Sequence, residues 1–199
     1  MRKIAQFLTA IALGVAALGA QAQIVNGSFE APSYADESST AINYGTHGWG
    51  GDGAVTRIVN PLGSLSDGVG SQYASLLAPT YAPFSASLYQ SFSLAAGSFA
   101  VNFLSWGDGT ISLERWGSGG YSAVGLNPNT TTLSSAAWAS NTYTFNSVGG
   151  DYRLTFRTTD ELRIDGVSVT AVPEPETYAM MLAGLGAIGF LSRRRKQAA

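Results

Sequence analysis

Residues 88–94 read Leu88-Tyr89-Gln90-Ser91-Phe92-Ser93-Leu94, with Leu88, Phe92 and Leu94 on one side of the alternation and Tyr89, Ser91 and Ser93 on the other. A β-strand sends successive side chains to opposite faces, so period-2 alternation over a short run predicts a half-buried strand. The next stretch, SFAVNFLSW at 98–106, sets Phe99, Val101 and Phe103 against Ala100, Asn102 and Leu104. DYRLTFRTT at 151–159 sets Tyr152, Leu154 and Phe156 against Arg153, Thr155 and Arg157. TISLERW (110–116), NTYTFNS (141–147), AVTRIVN (54–60) and IDGVSVTAV (164–172) behave similarly.

Turn chemistry separates these runs: Asp52-Gly53, Asp67-Gly68, Asp108-Gly109, Asn127-Pro128 and Gly149-Gly150-Asp151. Between the two ends no stretch sustains a 3.6-residue period, and no repeat of fixed length recurs. Short strands at turn-marked spacing, without helices, predict an all-β protein built as an antiparallel sandwich or barrel. Residues 31–53, including YGTHGWGGDG at 44–53, read as a long loop region.

The N-terminus is of another kind. Arg2 and Lys3 precede an apolar run from Ile4 to Leu18 and then Ala20-Gln21-Ala22. Charged start, apolar run and small-residue cleavage site predict a secretory signal peptide over residues 1–22. The body therefore spans 23–172. It has no cysteine, so it carries neither disulfides nor thiolate chemistry, and about 150 residues bury a sufficient core without such staples. Its basic residues are Arg57, Arg115, Arg153, Arg157 and Arg163 against 11 acids, a formal charge of −6. A lysine-free acidic body is a poor partner for nucleic acid.

The C-terminus, residues 173–199, opens on Pro173-Glu174-Pro175 and continues into the uncharged run Tyr178–Leu191, closed by Arg193-Arg194-Arg195-Lys196. The prolines make a stiff spacer, since they fix φ and donate no hydrogen bond. Fourteen helical residues span about 21 Å, short of the roughly 30 Å hydrocarbon core. The basic cluster stays cytoplasmic by the positive-inside rule, and its long side chains help a short helix fit. The expectation is a transient transmembrane helix, body outside, tip inside.

In this order and place, the Pro-Glu-Pro, the short hydrophobic span and the basic end resemble the PEP-CTERM protein-sorting signal. The resemblance implies recognition by exosortase, a membrane protease-transpeptidase, in a Gram-negative bacterium that makes exopolysaccharide. It implies passage through the inner membrane and delivery to the cell surface or extracellular matrix. It concerns sorting and leaves the task of the body open.

The body's two ends carry a second resemblance. It opens with IVNGSFEAP and closes with LRIDGVSVTAV. This pairing resembles the galactose-binding-like jelly roll, which includes many carbohydrate-binding modules. The family often holds a structural calcium ion between its opening and closing motifs, which here implies Glu30 and Asp165 as ligands. Gly166 stands where the family pattern often has a second polar residue, which removes one oxygen. Calcium takes six to eight oxygens, so two carboxylates begin such a shell. The plainer alternative is that both are solvated turn or edge residues.

Catalysis finds no supporting motif. His47 is the sole histidine, in a Gly-rich loop, and no nucleophile elbow, phosphate loop or dinucleotide fingerprint is present. Binding is better represented. Trp49, Trp106, Trp116 and Trp138 lie beside Gly, Ser or Ala. An indole on a loop suits stacking on the apolar face of a sugar, with polar neighbours for the hydroxyls. Each is otherwise a core residue of a sandwich that needs bulk. Trp49, between two glycines, reads as least core-like, and with Trp116 it is the candidate carbohydrate platform. The expected function is non-catalytic association with exopolysaccharide. The alternatives are a structural matrix or surface-coat protein without a sugar site and, further off, a secreted hydrolase with an unrecognised carboxylate pair.

Overall fold

Ala86–Gly117, strand β5, stays hydrogen-bonded to neighbours along its length. In the computed structural model it is the spine of an antiparallel arrangement of eight strands among the described residues. The structure describes residues 24–31, 39–41, 48–53, 55–59, 72–78, 85–129, 131–173 and 183–185. The other strands are β1 (Ser39–Ala41), β2 (Gly50–Gly53), β3 (Val55–Val59), β4 (Tyr73–Leu77), β6 (Gly120–Ala123), β7 (Thr132–Thr158) and β8 (Glu161–Ala171). Two short strands thus occupy the stretch 31–53 that reads as loop. The signal-peptide reading and His47 fall outside the described residues.

The pairing resolves this sheet into two layers. One holds β2, residues 86–94, residues 150–158, residues 110–117 and β6. The other holds residues 139–148, residues 98–107, β8, β4, β3 and β1. β5 and β7 run in both layers, because their ladder continues in one register from Ala86↔Thr158 to Ser105↔Ala139 while the pair bends around a corner. The corner lies at Gly97 (φ 147°) and at Gly149 and Gly150 (φ 88° and 109°). Only glycine adopts such angles at little cost. Gly149-Gly150 is therefore a bend within a strand rather than a break between strands. At Asp108-Gly109 the chain returns to the first layer, where its pairing on β7 changes from Leu133 to Arg157 at Thr110.

The expected alternation is what closes the two layers. Leu88, Phe92, Phe103, Leu154 and Phe156 are buried. Phe103 of one layer meets Phe156 of the other edge-on at 4.9 Å, and Phe145 meets Tyr152 at 6.0 Å. Each such ring contributes about 1.5–3 kcal/mol by leaving water. Gln90 also points inward. Its Nε2 donates to Val25 O (2.9 Å) and Gly48 O (2.7 Å), and its Oε1 accepts from Val25 N–H (2.8 Å). A polar side chain is tolerated there because it satisfies backbone groups of two incoming segments.

Candidate functional site

The opening and closing motifs come together. Val167 N–H donates to Gly27 O at 2.9 Å, and a Cβ on Gly27 would lie 1.9 Å from Val167 O. Gly27 is thus required by close backbone approach. Asn26 (φ 51°) closes the turn, with its side chain bonded to both backbone groups of Ala31. Glu30 Oε1 accepts from Gln72 N–H at 2.8 Å. Pairing of β4 with β8, Ala74 opposite Ile164, brings Gln72 alongside the segment holding Asp165. Asp165 is wholly buried, and its Oδ1 accepts from Gly166 N–H at 2.6 Å. Glu30 and Asp165 therefore approach one end of the β4–β8 pair.

Gly166 has φ 59° at a bulge where Asn102 faces Ser168 and Leu104 faces Asp165. Apart from glycine, Asn and Asp adopt this left-handed region most readily. Among the described residues no three His, Cys, Asp or Glu side chains gather around one point. A calcium ion here would draw its remaining ligands from backbone carbonyls, which its flexible coordination permits.

Trp49 is in the core, contrary to its reading as an exposed platform. It is 1% exposed, donates from Nε1 to Asn26 O (3.1 Å) and packs on Phe29 (5.3 Å) and Phe156 (6.4 Å). Its flanking glycines serve packing. Gly48 has φ 83°, and the Tyr89 ring lies within 2.6 Å of where a Gly50 Cβ would stand. A buried indole has no free face for a sugar.

Trp116 takes the opposite position. It is 53% exposed and meets Tyr121, its partner across the β5–β6 hairpin, edge-on at 4.8 Å. The Arg153 guanidinium lies 3.9 Å over the Tyr121 ring and 5.7 Å from that of Tyr89. Arg153 also donates to Glu114 Oε2 from Nε (3.1 Å) and Nη2 (2.6 Å). Each of these two charged side chains is about a third exposed. The outer face of the first layer thus offers one open indole, a phenol ring capped by Arg153 and a fixed pair of opposite charges. Tyr89, Glu114, Tyr121 and Arg153 were not singled out from sequence, because they come from three separated strands. The outward positions of the alternation were the available signal.

Trp106 and Trp138 lie on the other layer, partly buried. Arg163 covers Trp106 at 4.1 Å, and Trp138 packs edge-on to Tyr73 at 5.5 Å. Of the sorting-signal residues, Pro173 is exposed just beyond β8; Glu174, Pro175, Arg193, Arg194 and Arg195 fall outside the described residues. Among the described residues no helix is long and apolar enough to cross a membrane.

Comparison with known proteins adds to this geometry. No curated protein matches the chain. The chain is similar to a CBM4 module at TM-score 0.50 and 12% identity, covering 75% of this chain and 100% of that one. It is similar to the CBM22-1 xylan-binding domain from Paenibacillus barcinonensis at TM-score 0.47 and 15% identity, covering 69% and 94%. It is also similar to the enzymatically active domain of bacteriophage CBA120 tailspike protein 4 at TM-score 0.45 and 15% identity, covering 76% of this chain and spanning 21% of that one. At such identities the likeness shows the fold alone, a β-sandwich of carbohydrate-binding-module type. Residues 171–196 match the PEP-CTERM protein-sorting motif, which implies exosortase processing, export and a transient stay in the membrane.

Proposed function

We propose that the exported body is a non-catalytic module that associates with exopolysaccharide at the cell surface or in the extracellular matrix. The observation that carries this reading is Trp116, an indole 53% exposed beside Tyr121 and the Arg153–Glu114 pair. An open aromatic face takes the apolar side of a pyranose, and a fixed guanidinium and carboxylate take its hydroxyls. The sorting motif and the sandwich fold support it from two other directions. Affinity electrophoresis of the protein in mild detergent, with the producing cell's own exopolysaccharide in the gel, tests it. Retardation is expected, and migration indifferent to polysaccharide would refute it.

We propose further that Glu30 and Asp165 share a calcium ion with a structural role. The meeting of the opening and closing motifs brings both carboxylates to one end of the β4–β8 pair, where they supply oxygens of the kind calcium takes. Calcium bound only to the native state raises the melting temperature by mass action, and EDTA lowers it. Asp165→Asn should remove the difference between the two. Melting curves that ignore millimolar calcium would refute the site.

A further inference from the structure

The sandwich is polarised end to end. At the corner where β5 and β7 change layers lie Ala95, Ala96, Val148 and Val172, all exposed, with Val148 at 68%. Trp116 and Tyr121 adjoin this rim, because Arg115 Nε donates to Gly149 O at 3.1 Å. The chain here is poor in charge: residues 92–107 and 116–150 contain no Asp, Glu, Lys, Arg or His, and the charged side chains at the corner are Arg115, bonded to Gly149 O, and Asp151, which accepts from Ser93 Oγ. The opposite rim carries Asp108, Asp160 and Glu161; Thr158 Oγ1 ties the first two, donating to Asp108 O and accepting from Asp160 N–H, and Glu161 pairs with Arg163.

The charge-poor rim is also where the body meets its tail. Val172 N–H donates to Ser98 O at 2.8 Å, so the sandwich holds the chain up to the residue before Pro173. Only residues 173–177 separate that point from the apolar run that begins at Tyr178. Fully extended, they reach no more than about 20 Å. Ten-residue strands put the opposite rim roughly 30 Å further away. While the tail is in the bilayer, the rim nearest the lipid is the charge-poor one, and Asp108, Asp160 and Glu161 are held off.

We propose that this rim, centred on Val148 and Val172 with Trp116 and Tyr121 at its border, rests in the headgroup zone of the membrane until the tail is cut. Trp and Tyr favour that zone because their rings are apolar at one end and polar at the other. The side chains of Ala95, Ala96, Val148 and Val172 enter it without stripping water from ions, while Arg115 and Asp151 stand at its edge among the headgroups. The inference does not need the sugar reading. Membrane contact precedes cleavage and glycan contact follows it.

The absence of cysteine makes a clean test. Val148→Cys and Leu77→Cys place one thiol each on exposed side chains of the two rims, Leu77 being paired with Glu161. Each is labelled with an environment-sensitive fluorophore in the chain with tail intact. The proteins are reconstituted in phosphatidylcholine–phosphatidylglycerol vesicles carrying a quencher at the headgroup depth. Several-fold stronger quenching and a blue shift at position 148, with neither at 77, are expected. Equal responses at both positions would overturn the proposal. A blue shift at 148 in detergent that grows with protein concentration would assign the rim to a second copy instead. A shift seen only when exosortase is added would assign it to the enzyme. Binding of polysaccharide by either labelled variant is a separate readout, so failure of one reading leaves the other standing.

Discussion

Trp49 and Trp116 have similar neighbours in sequence and opposite surroundings in the fold. Each adjoins glycine, and each precedes or ends a strand. Trp49 is clamped between Phe29 and Phe156, with its N–H bonded to Asn26, whereas Trp116 stands open on a two-stranded hairpin. The difference teaches how to read glycine. At Gly48 and Gly50 the missing Cβ lets the chain turn and lets a tyrosine ring press on the backbone, drawing the tryptophan inward. At Gly117 the nearest atom to a Cβ is 3.8 Å away and at Gly119 none lies within 4 Å, so the glycines there mark an uncovered turn.

Several measurements bear on this contrast. Trp49→Ala should lower stability by about 3–5 kcal/mol, the usual cost of emptying a large aromatic site. Chemical denaturation would show it, and a loss under 1 kcal/mol would mean that the indole is not core. Gly48→Ala should cost about 1–2 kcal/mol, because a side chain at φ 83° is strained. An unchanged midpoint would contradict the turn geometry. Smallest is the Glu114–Arg153 coupling. With both side chains about a third exposed, a double-mutant cycle with Glu114→Gln and Arg153→Gln should give about 0.2–1 kcal/mol, falling as salt rises. A coupling that ignores salt would point to a drier pair than the structure shows.

The strands were legible because Leu88, Phe92, Phe103, Leu154 and Phe156 each obey period 2 and each is buried. The meeting of the two terminal motifs was legible through resemblance, and Gly27 against Val167 gives it a physical basis. Strand continuity was not legible. Gly149-Gly150 and Asp108-Gly109 have the composition of hairpin turns, yet both lie within continuous strands; the ladder keeps its register across the first and changes partner from Leu133 to Arg157 after the second. Of the two short strands within 31–53, β2 was hidden by its glycine content, which lowers strand propensity, and β1 by its length of three residues, too short to show an alternation. The partners of Trp116 were hidden for a different reason. Tyr121, Arg153 and Glu114 meet through the register of β5 with β6 and β7, which no local pattern encodes.

The central claim is that Trp116 is the platform of a polysaccharide site. The most direct test is titration of the producing cell's exopolysaccharide against wild type and Trp116→Ala, with melting temperature followed in parallel. If base stacking on aromatic side chains is a guide to sugar stacking, losing the platform costs about 1–3 kcal/mol of binding, or roughly 5- to 150-fold in affinity. Stability should move by no more than about 0.5 kcal/mol, as for other surface positions. Equal affinity of the two proteins, or binding by neither, would contradict the account.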